Sequence, residues 1–284
     1  MQAPDAAVAR VVPTGGSGRL FRVTSILYVY AITRDPAVPD AEAVDGSRRF
    51  GSATAGAISA TFTPVPAAEF SQAVIDQRAG DLEWLGAIGY RHQAVMTELM
   101  KATAIVPLRA FTLFSGEEAL RSYLTAQQEL LAKALERLDG KQEWTLRIEL
   151  EPQRWSEAVT GRVASLRDLQ NEIATAAPGK AFLLRKKLDD ERKKASHAAE
   201  DALVGEIESA VLGRIGCETV AESRQRRDGA FPQINVLVNR DEEAVLQELQ
   251  TELTARYEPE GVTLALSGPW PPYTFAGGSA ERPS

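Results

Sequence analysis

The side chains that most often perform chemistry are few in this chain. It has two histidines, His92 and His197, and a single cysteine, Cys217. One cysteine can form neither an intrachain disulfide nor a cysteine-based zinc site. No serine or cysteine nucleophile motif lies near His92, which favours a structural hydrogen bond or a helix-start role over general-base catalysis. We therefore predict no catalytic residue, no metal site and no cofactor.

A basic run, RKKLDDERKK, covers residues 185–194. It could form a phosphate-binding patch, but Lys186 with Asp190 and Asp189 with Lys193 stand at i,i+4 spacing, which predicts a self-compensated, solvated helix face. The net charge of −7 argues against general binding to nucleic acid or to an anionic membrane. Neither a signal peptide nor a run of roughly 20 apolar residues is present. A cytoplasmic location is expected.

The segment with the most unusual composition is GPWPPYTF, residues 268–275, which contains three prolines and three aromatic residues. Prolines hold a chain extended and leave little entropy to lose on docking, so we predict a strap and not a helix. Arg109 lies in an otherwise apolar stretch, where it should meet an internal carboxylate or open onto a surface cleft. The candidate residues for partner binding or for a strap between domains are Arg109, Trp270, Pro271, Pro272, Tyr273 and Phe275.

The first half of the chain must position these residues. Thr103–Phe114 is apolar along both of its period-two rows, and we interpret it as the central buried strand, entered near Pro107. Ser25–Thr33 predicts another strand, and Arg48–Ala53 with Ala57–Thr63 a hairpin. Ser115 and Glu118 have the spacing of a capping box that would open a long helix.

The second half, from Lys141, predicts the order strand, two paired helices, strand, strand, helix, strand. Its later strands are Glu218–Arg224, Phe231–Asn239 and Gly261–Ser267. This order is the split βαβ or ferredoxin-like pattern with an enlarged helical first crossover, so the predicted fold class is α+β with two domains. The predicted limits are a mobile tail over 1–24, an N-terminal α+β domain over 25–139, a ferredoxin-like domain over 140–268, and a strap and tail over 269–284.

Several segments together resemble a known family. They are LYVYAIT at 27–33, the pair Trp84 and Leu85 shortly before HQAVMTEL, then IVPLRAFTLF, LERLDGKQEW and the closing SGPWPPYTF. Over roughly Ser25 to Phe275 the chain resembles the GvpF/GvpL proteins of gas vesicle gene clusters. It departs from them at Ala110 and Phe111, where the family usually has Phe-Gly.

The resemblance implies a non-enzymatic accessory protein of gas vesicle assembly, found in the cytoplasm and associated with gas vesicles. Its expected partners are the major gas vesicle shell protein, which is small and hydrophobic, and other gas vesicle accessory proteins. It would limit premature aggregation of the shell protein or nucleate the shell. Two alternatives stay open. A ferredoxin-like small-molecule sensor or enzyme would need a deep pocket with converging polar groups, and a nucleic-acid binder would use the basic helix.

Overall fold

The computed structural model describes residues 25–216, 218–221 and 232–276. The predicted tail over 1–24, Cys217, residues 222–231 and residues 277–284 lie outside the described residues. Residues 222–231 include the end of the predicted strand Glu218–Arg224 and the start of the predicted strand Phe231–Asn239. The chain divides into two compact units. Among the described residues, the first unit contains residues 25–142 together with residues 270–276, and the second contains those between Glu143 and Pro269.

The first unit is a sheet covered by helices. Within the described residues its strands follow the order β2-β3-β1-β4, with β5 also pairing with β1, and every pairing is antiparallel. Its elements are β1 Ser25–Thr33, β2 Gly51–Ala55, β3 Ile58–Pro66, α1 Ala67–Phe70, α2 Gln72–Gln77, α3 Leu82–Ala102, β4 Val106–Pro107, β5 Leu113–Phe114, α4 Glu117–Leu138 and, after the second unit, α9 Tyr273–Ala276.

The central strand of this sheet is β1 and not the predicted Thr103–Phe114. All residues of β1 except Ser25 are buried, so both rows of alternating side chains are covered. The predicted strand is wrong because a turn divides it into β4 and β5, each only two residues long. Pro107 donates no ladder hydrogen bond, and Phe111 has a φ of +65° that no strand accepts. The predicted hairpin is confirmed as β2 and β3, which turn at Gly56.

Two long helices cover the sheet. α3 packs on the face of β1 that carries Tyr28 and Tyr30. Its N-terminus is capped by Asp81, whose carboxylate accepts the Trp84 N–H at 3.0 Å. The capping box predicted for α4 is wrong: Gly116 is the N-cap residue, and no side chain caps that end. Ser115 therefore lies one residue too early to reach the free amides.

The second unit has a sheet with the strand order β7-β8-β6-β9 among its described residues. In its first strand Trp144, Leu146 and Ile148 are buried, as expected for alternate residues on one face of a strand. The elements are β6 Lys141–Leu150, α5 Pro152–Arg162, α6 Ala164–Thr175, α7 Pro178–Arg214, β7 Glu218–Ala221, β8 Gln233–Asn239, α8 Glu243–Tyr257 and β9 Val262–Trp270, with 3-10 turns at Arg240–Glu242 and Glu258–Glu260.

The helical crossover of this unit is a hairpin in which α6 packs beside α7. The first of the two predicted helices is broken at Val163 into α5 and α6. In the described chain the basic face of α7 lacks the predicted i,i+4 ion pairs of Lys186 with Asp190 and Asp189 with Lys193. The face is exposed, as predicted. Its lysines and aspartates do not form the two ion pairs that their i,i+4 spacing predicted.

The last strand, β9, runs three residues beyond the predicted Ser267. It lies at the edge of its sheet, where Pro269 is tolerated because an edge strand has amides that need no partner. Gly268 has a φ of +147°, and a Cβ there would lie 2.8 Å from the Trp144 ring. Only glycine fits at this close approach.

Candidate functional site

The C-terminal segment, residues 270–276, belongs to the first unit. Pro271, Pro272 and Phe275 are buried, whereas Trp270 is 41% exposed and Tyr273 39% exposed. The prediction of a strap without helix is wrong, because Tyr273–Ala276 forms the one-turn helix α9. The two prolines supply carbonyls to this turn without needing amide partners of their own, which suits the start of a helix.

Backbone and side-chain hydrogen bonds fix this segment. The Tyr273 N–H donates to the Pro271 carbonyl at 2.7 Å, and the Ala276 N–H to the Pro272 carbonyl at 2.8 Å. The guanidinium of Arg137 on α4 donates to the Phe275 carbonyl. α9 lies against α4 and β4, so a segment at the far end of the sequence completes the first unit.

A chain of buried polar groups links the segment to the core. The Tyr273 hydroxyl lies 2.9 Å from Nε2 of His92, and the Tyr28 hydroxyl lies 3.0 Å from Nδ1 of the same ring. The Tyr28 hydroxyl also accepts the Phe111 N–H at 3.0 Å. A neutral imidazole has one N–H, so one tyrosine accepts from His92 and the other donates to it. We call Tyr28, His92 and Tyr273 the tyrosine–histidine chain.

Burial controls the charge state of these groups. Desolvation lowers the pKa of His92 to about 4, although the Leu108 carbonyl opposes the shift, so the ring is neutral at pH 7. Desolvation also raises the pKa of Tyr273 to about 12 and raises that of Tyr28. Tyr273 thus keeps its hydroxyl end inside while part of its ring faces solvent. The three groups remain uncharged over the physiological range.

Aromatic rings surround the tyrosine–histidine chain. Tyr30 stacks on His92 with ring centroids 5.7 Å apart, and its hydroxyl donates to Thr63. Phe111 packs 5.5 Å from Trp84. Trp84 also contacts Phe70, with ring centroids 6.3 Å apart, and the Arg78 guanidinium lies 4.4 Å from its ring centroid. These contacts hold Phe111 in a left-handed backbone conformation. Phe111 stands where the resembled family usually has glycine.

Arg109 lies on the surface, so of its two predicted placements the internal one is wrong, whereas the opening onto a surface cleft stays a prediction. It is exposed on the turn between β4 and β5, and its carbonyl accepts hydrogen bonds from the Thr112 amide and hydroxyl, the latter at 2.7 Å. The expectation of a buried carboxylate partner is wrong because the apolar stretch around Arg109 is not a strand. The other five predicted residues, Trp270, Pro271, Pro272, Tyr273 and Phe275, are adjacent in the docked segment.

Sequence reasoning missed Tyr28 and the link from His92 to Tyr273. The available signal was the pair Tyr28 and Tyr30, which stand two apart on one face of a buried strand. Buried tyrosine hydroxyls need hydrogen-bond partners, and His92 was the natural candidate. The predicted structural hydrogen bond of His92 is confirmed, but its helix-start role is wrong, since the residue lies mid-way along α3.

The geometry of the site is poorly suited to proton transfer by His92. Both ring nitrogens of His92 are engaged by tyrosine hydroxyls, and its low pKa makes it a weak base near neutrality. Within the described ranges, no group of three or more histidine, cysteine, aspartate or glutamate side chains is arranged to hold a metal ion. The partly exposed Tyr273 is held by its hydrogen bond to His92 and by the buried Pro272 and Phe275 beside it in the segment.

Comparison with known proteins decides the family. The model of the family described as gas vesicle synthesis protein GvpL/GvpF matches residues 26–277. The chain belongs to the GvpL/GvpF family. This membership assigns the protein a role in gas vesicle formation. In the part of the chain that the structure describes, no helix combines the length and the apolar character needed to span a membrane.

Individual relatives agree with this assignment. Gas vesicle protein L of Streptomyces sp. (strain CB03234) is 30% identical over 261 residues, which cover 89% of this GvpL/GvpF chain and 94% of the relative. Gas vesicle protein L2 of Halobacterium salinarum is 28% identical over 195 residues, which cover 65% of this chain and 69% of the relative. The crystal structure of GvpF from Anabaena sp. PCC7120 has a TM-score of 0.71 at 14% identity, covering 90% of this chain and all of that one. GvpF from Microcystis aeruginosa gives a TM-score of 0.63. These structures share the mixed α+β fold.

Proposed function

We propose that this protein is a non-enzymatic accessory factor that binds the major gas vesicle shell protein during assembly. It would also bind other gas vesicle accessory proteins, and it would limit premature aggregation of the shell protein or nucleate the shell. It acts in the cytoplasm and associates with gas vesicles. The family match over residues 26–277 supports a role in gas vesicle assembly. The docked C-terminal segment supports binding of a partner protein as the way in which the protein acts.

The observation on which the binding role depends is the anchored pair of exposed aromatic faces, Trp270 and Tyr273. Aromatic side chains dominate protein interfaces because they bury a large area with little loss of conformational entropy. Here the segment has already lost that entropy, since Phe275 is buried and Tyr273 is hydrogen-bonded to His92. A preorganised aromatic surface is suited to an apolar partner such as the shell protein.

We also propose the finer architecture. Residues 25–139 form an N-terminal α+β domain, and residues 140–268 form a ferredoxin-like domain with an enlarged helical first crossover. The support is the sheet order β7-β8-β6-β9, which places the first and third strands of the second unit side by side at the centre of its sheet. The split βαβ motif has this arrangement.

Co-expression with the major shell protein tests the proposed function. We expect the shell protein to remain in the soluble fraction and to co-purify with the wild-type chain. Trp270→Ser should weaken the complex roughly tenfold or more, as the loss of an aromatic hot spot does. Tyr90→Ser is the matched control, because Tyr90 is another exposed aromatic residue of the first unit.

Three results would contradict the proposal. The first is the absence of a complex under conditions in which other gas vesicle proteins do associate. The second is normal flotation of cells that lack the gene. The third is turnover of a metabolite by the purified chain, which would favour the sensor or enzyme alternative.

A further inference from the structure

We propose that the tip of the α6–α7 hairpin is a docking surface for an acidic amphipathic helix of a partner protein. We call this surface the hairpin-tip patch; it consists of Phe182, Leu183, Arg185, Lys186 and Lys187, all near the start of α7. It lies in the second unit, so the proposal does not depend on the C-terminal segment or on shell-protein binding there.

The apolar part of the patch is two adjacent large side chains left in solvent. Phe182 is 68% exposed and Leu183 is 66% exposed, whereas their neighbour Ala181 is buried against the hairpin. Single exposed apolar residues are common on protein surfaces, but adjacent ones create a continuous patch. Covering both would contribute favourable burial that the second unit does not obtain from its own core.

Helical spacing places cations beside these side chains. Lys186 follows Phe182 at i+4, and Lys187 follows Leu183 at i+4, so each apolar residue has a cation next to it on the same face. Arg185, Lys186 and Lys187 are exposed. The face thus combines an apolar strip with a positive strip.

These cations are available for a partner. Among the described residues, no ion pair within 4.0 Å involves Arg185, Lys186 or Lys187. Lys187 only adds a longer-range attraction to Glu172, whose carboxylate is bound directly by Lys180 at 2.7 Å. The whole chain has a net charge of −7, so this positive surface stands out against an acidic background. Charge complementarity therefore points to a partner that presents carboxylates.

The dimensions and charge pattern favour a helix over a membrane or a nucleic acid. An amphipathic helix with apolar side chains at i, i+3 and i+4 could cover Phe182 and Leu183 while its carboxylates meet the lysines. Binding to anionic lipid typically needs about four to eight basic residues, and this patch has three. A polyanion would meet Asp189, Asp190 and Glu191 directly after the patch, which weakens its field along α7.

The test measures binding of a fluorescein-labelled peptide to the full chain at physiological salt. The peptide is a leucine and glutamate amphipathic helix of about 20 residues, long enough to form a helix on binding. We expect Lys186→Glu/Lys187→Glu and Phe182→Ser/Leu183→Ser each to weaken binding about tenfold or more. Leu130→Ser/Lys133→Glu, an exposed leucine and lysine on α4, is the matched control and should leave the affinity unchanged.

A charge-swapped peptide sharpens the result. Replacing its glutamates by lysines should abolish binding to the wild type and restore binding to the Lys186→Glu/Lys187→Glu variant. All substituted residues are exposed, and circular dichroism of each variant should match that of the wild type. The proposal is overturned if neither patch variant weakens binding, if the control variant weakens it equally, or if phosphatidylserine vesicles or single-stranded RNA bind at the patch and the acidic peptide does not.

Discussion

The two units of this protein build their interiors in different ways. The first unit surrounds β1 with buried tyrosines and a buried histidine, and it needs a segment from the far end of the chain to complete their hydrogen bonds. The core of the second unit is mostly leucine, isoleucine and valine contributed by its own sheet and helices. A polar interior depends on individual atoms, whereas an aliphatic one depends mainly on volume.

This difference has a functional meaning. A hydrogen-bonded interior fixes one arrangement of the C-terminal segment and so presents Trp270 and Tyr273 in one orientation. The second unit instead leaves the tip of its helical hairpin apolar and positively charged on the outside.

The largest effect should come from Phe275→Ala. Removing this buried anchor should lower the free energy of unfolding of the first unit by about 3 to 5 kcal/mol and release α9. Hydrogen exchange of the β1 amides and proteolysis after residue 270 would report it, because both require opening of the first unit. Tyr90→Ala, at an exposed position, is the control and should change stability by less than about 0.5 kcal/mol. Equal effects of the two variants would refute the anchoring role.

In the second unit, glycine substitutions should act through local geometry. Gly268→Ala should destabilise by about 3 kcal/mol, because the new Cβ meets the Trp144 ring and the φ of +147° is unfavourable for alanine. Gly205→Ala is the matched change: this exposed position in α7 has open space for a Cβ, and stability should rise by up to about 1 kcal/mol. Urea denaturation of both variants measures the difference, and the same sign for both would contradict the account.

The stability of the first unit should fall in mild acid. The unfolded chain protonates His92 below its usual pKa near 6.5, but the folded ring stays neutral down to about pH 4. Protonation therefore favours the unfolded state, and roughly 2 kcal/mol of stability should be lost between pH 7 and pH 5. His92→Gln should flatten this dependence, whereas His197→Gln, the change at the only other histidine, should preserve it. The test is to measure the free energy of unfolding of the wild type and of both variants between pH 7 and pH 5.

The smallest effect should come from Tyr273→Phe. This substitution keeps the ring but removes the hydroxyl bonded to His92, and it should cost about 1 kcal/mol. Its partner test is a double-mutant cycle with His92→Gln. If the two substitutions destabilise additively, the contact between these side chains contributes nothing to the free energy of unfolding. That result would contradict a hydrogen bond between Tyr273 and His92.

Local patterns predicted much of the fold. The hairpin of β2 and β3, the alternation of β6 and the helix α8 follow from periodicity and turn residues. The order of elements after Lys141 follows from the same signals. These elements satisfy their preferences with neighbours close in sequence.

Contacts between residues distant in sequence could not be predicted from local sequence patterns. The stretch around Pro107 is as apolar as a central strand, but the turn at Phe111 depends on contacts with Tyr28 and Trp84, which are distant in sequence. Likewise, the composition of residues 268–275 indicated docking, but only the fold brings Tyr273 to His92, 181 residues away. A long-range hydrogen bond has no periodicity that a sequence can display.

The most direct test of the docked segment is a proton NMR titration of His92 in the His197→Gln background, where it is the only histidine. In the intact protein we expect the ring to stay neutral at pH 5.5, with a pKa of about 4. Adding Phe275→Ala should release the segment and return the pKa toward its usual value near 6.5. A ring that titrates near 6.5 in the intact protein, or that is indifferent to Phe275→Ala, would contradict the account.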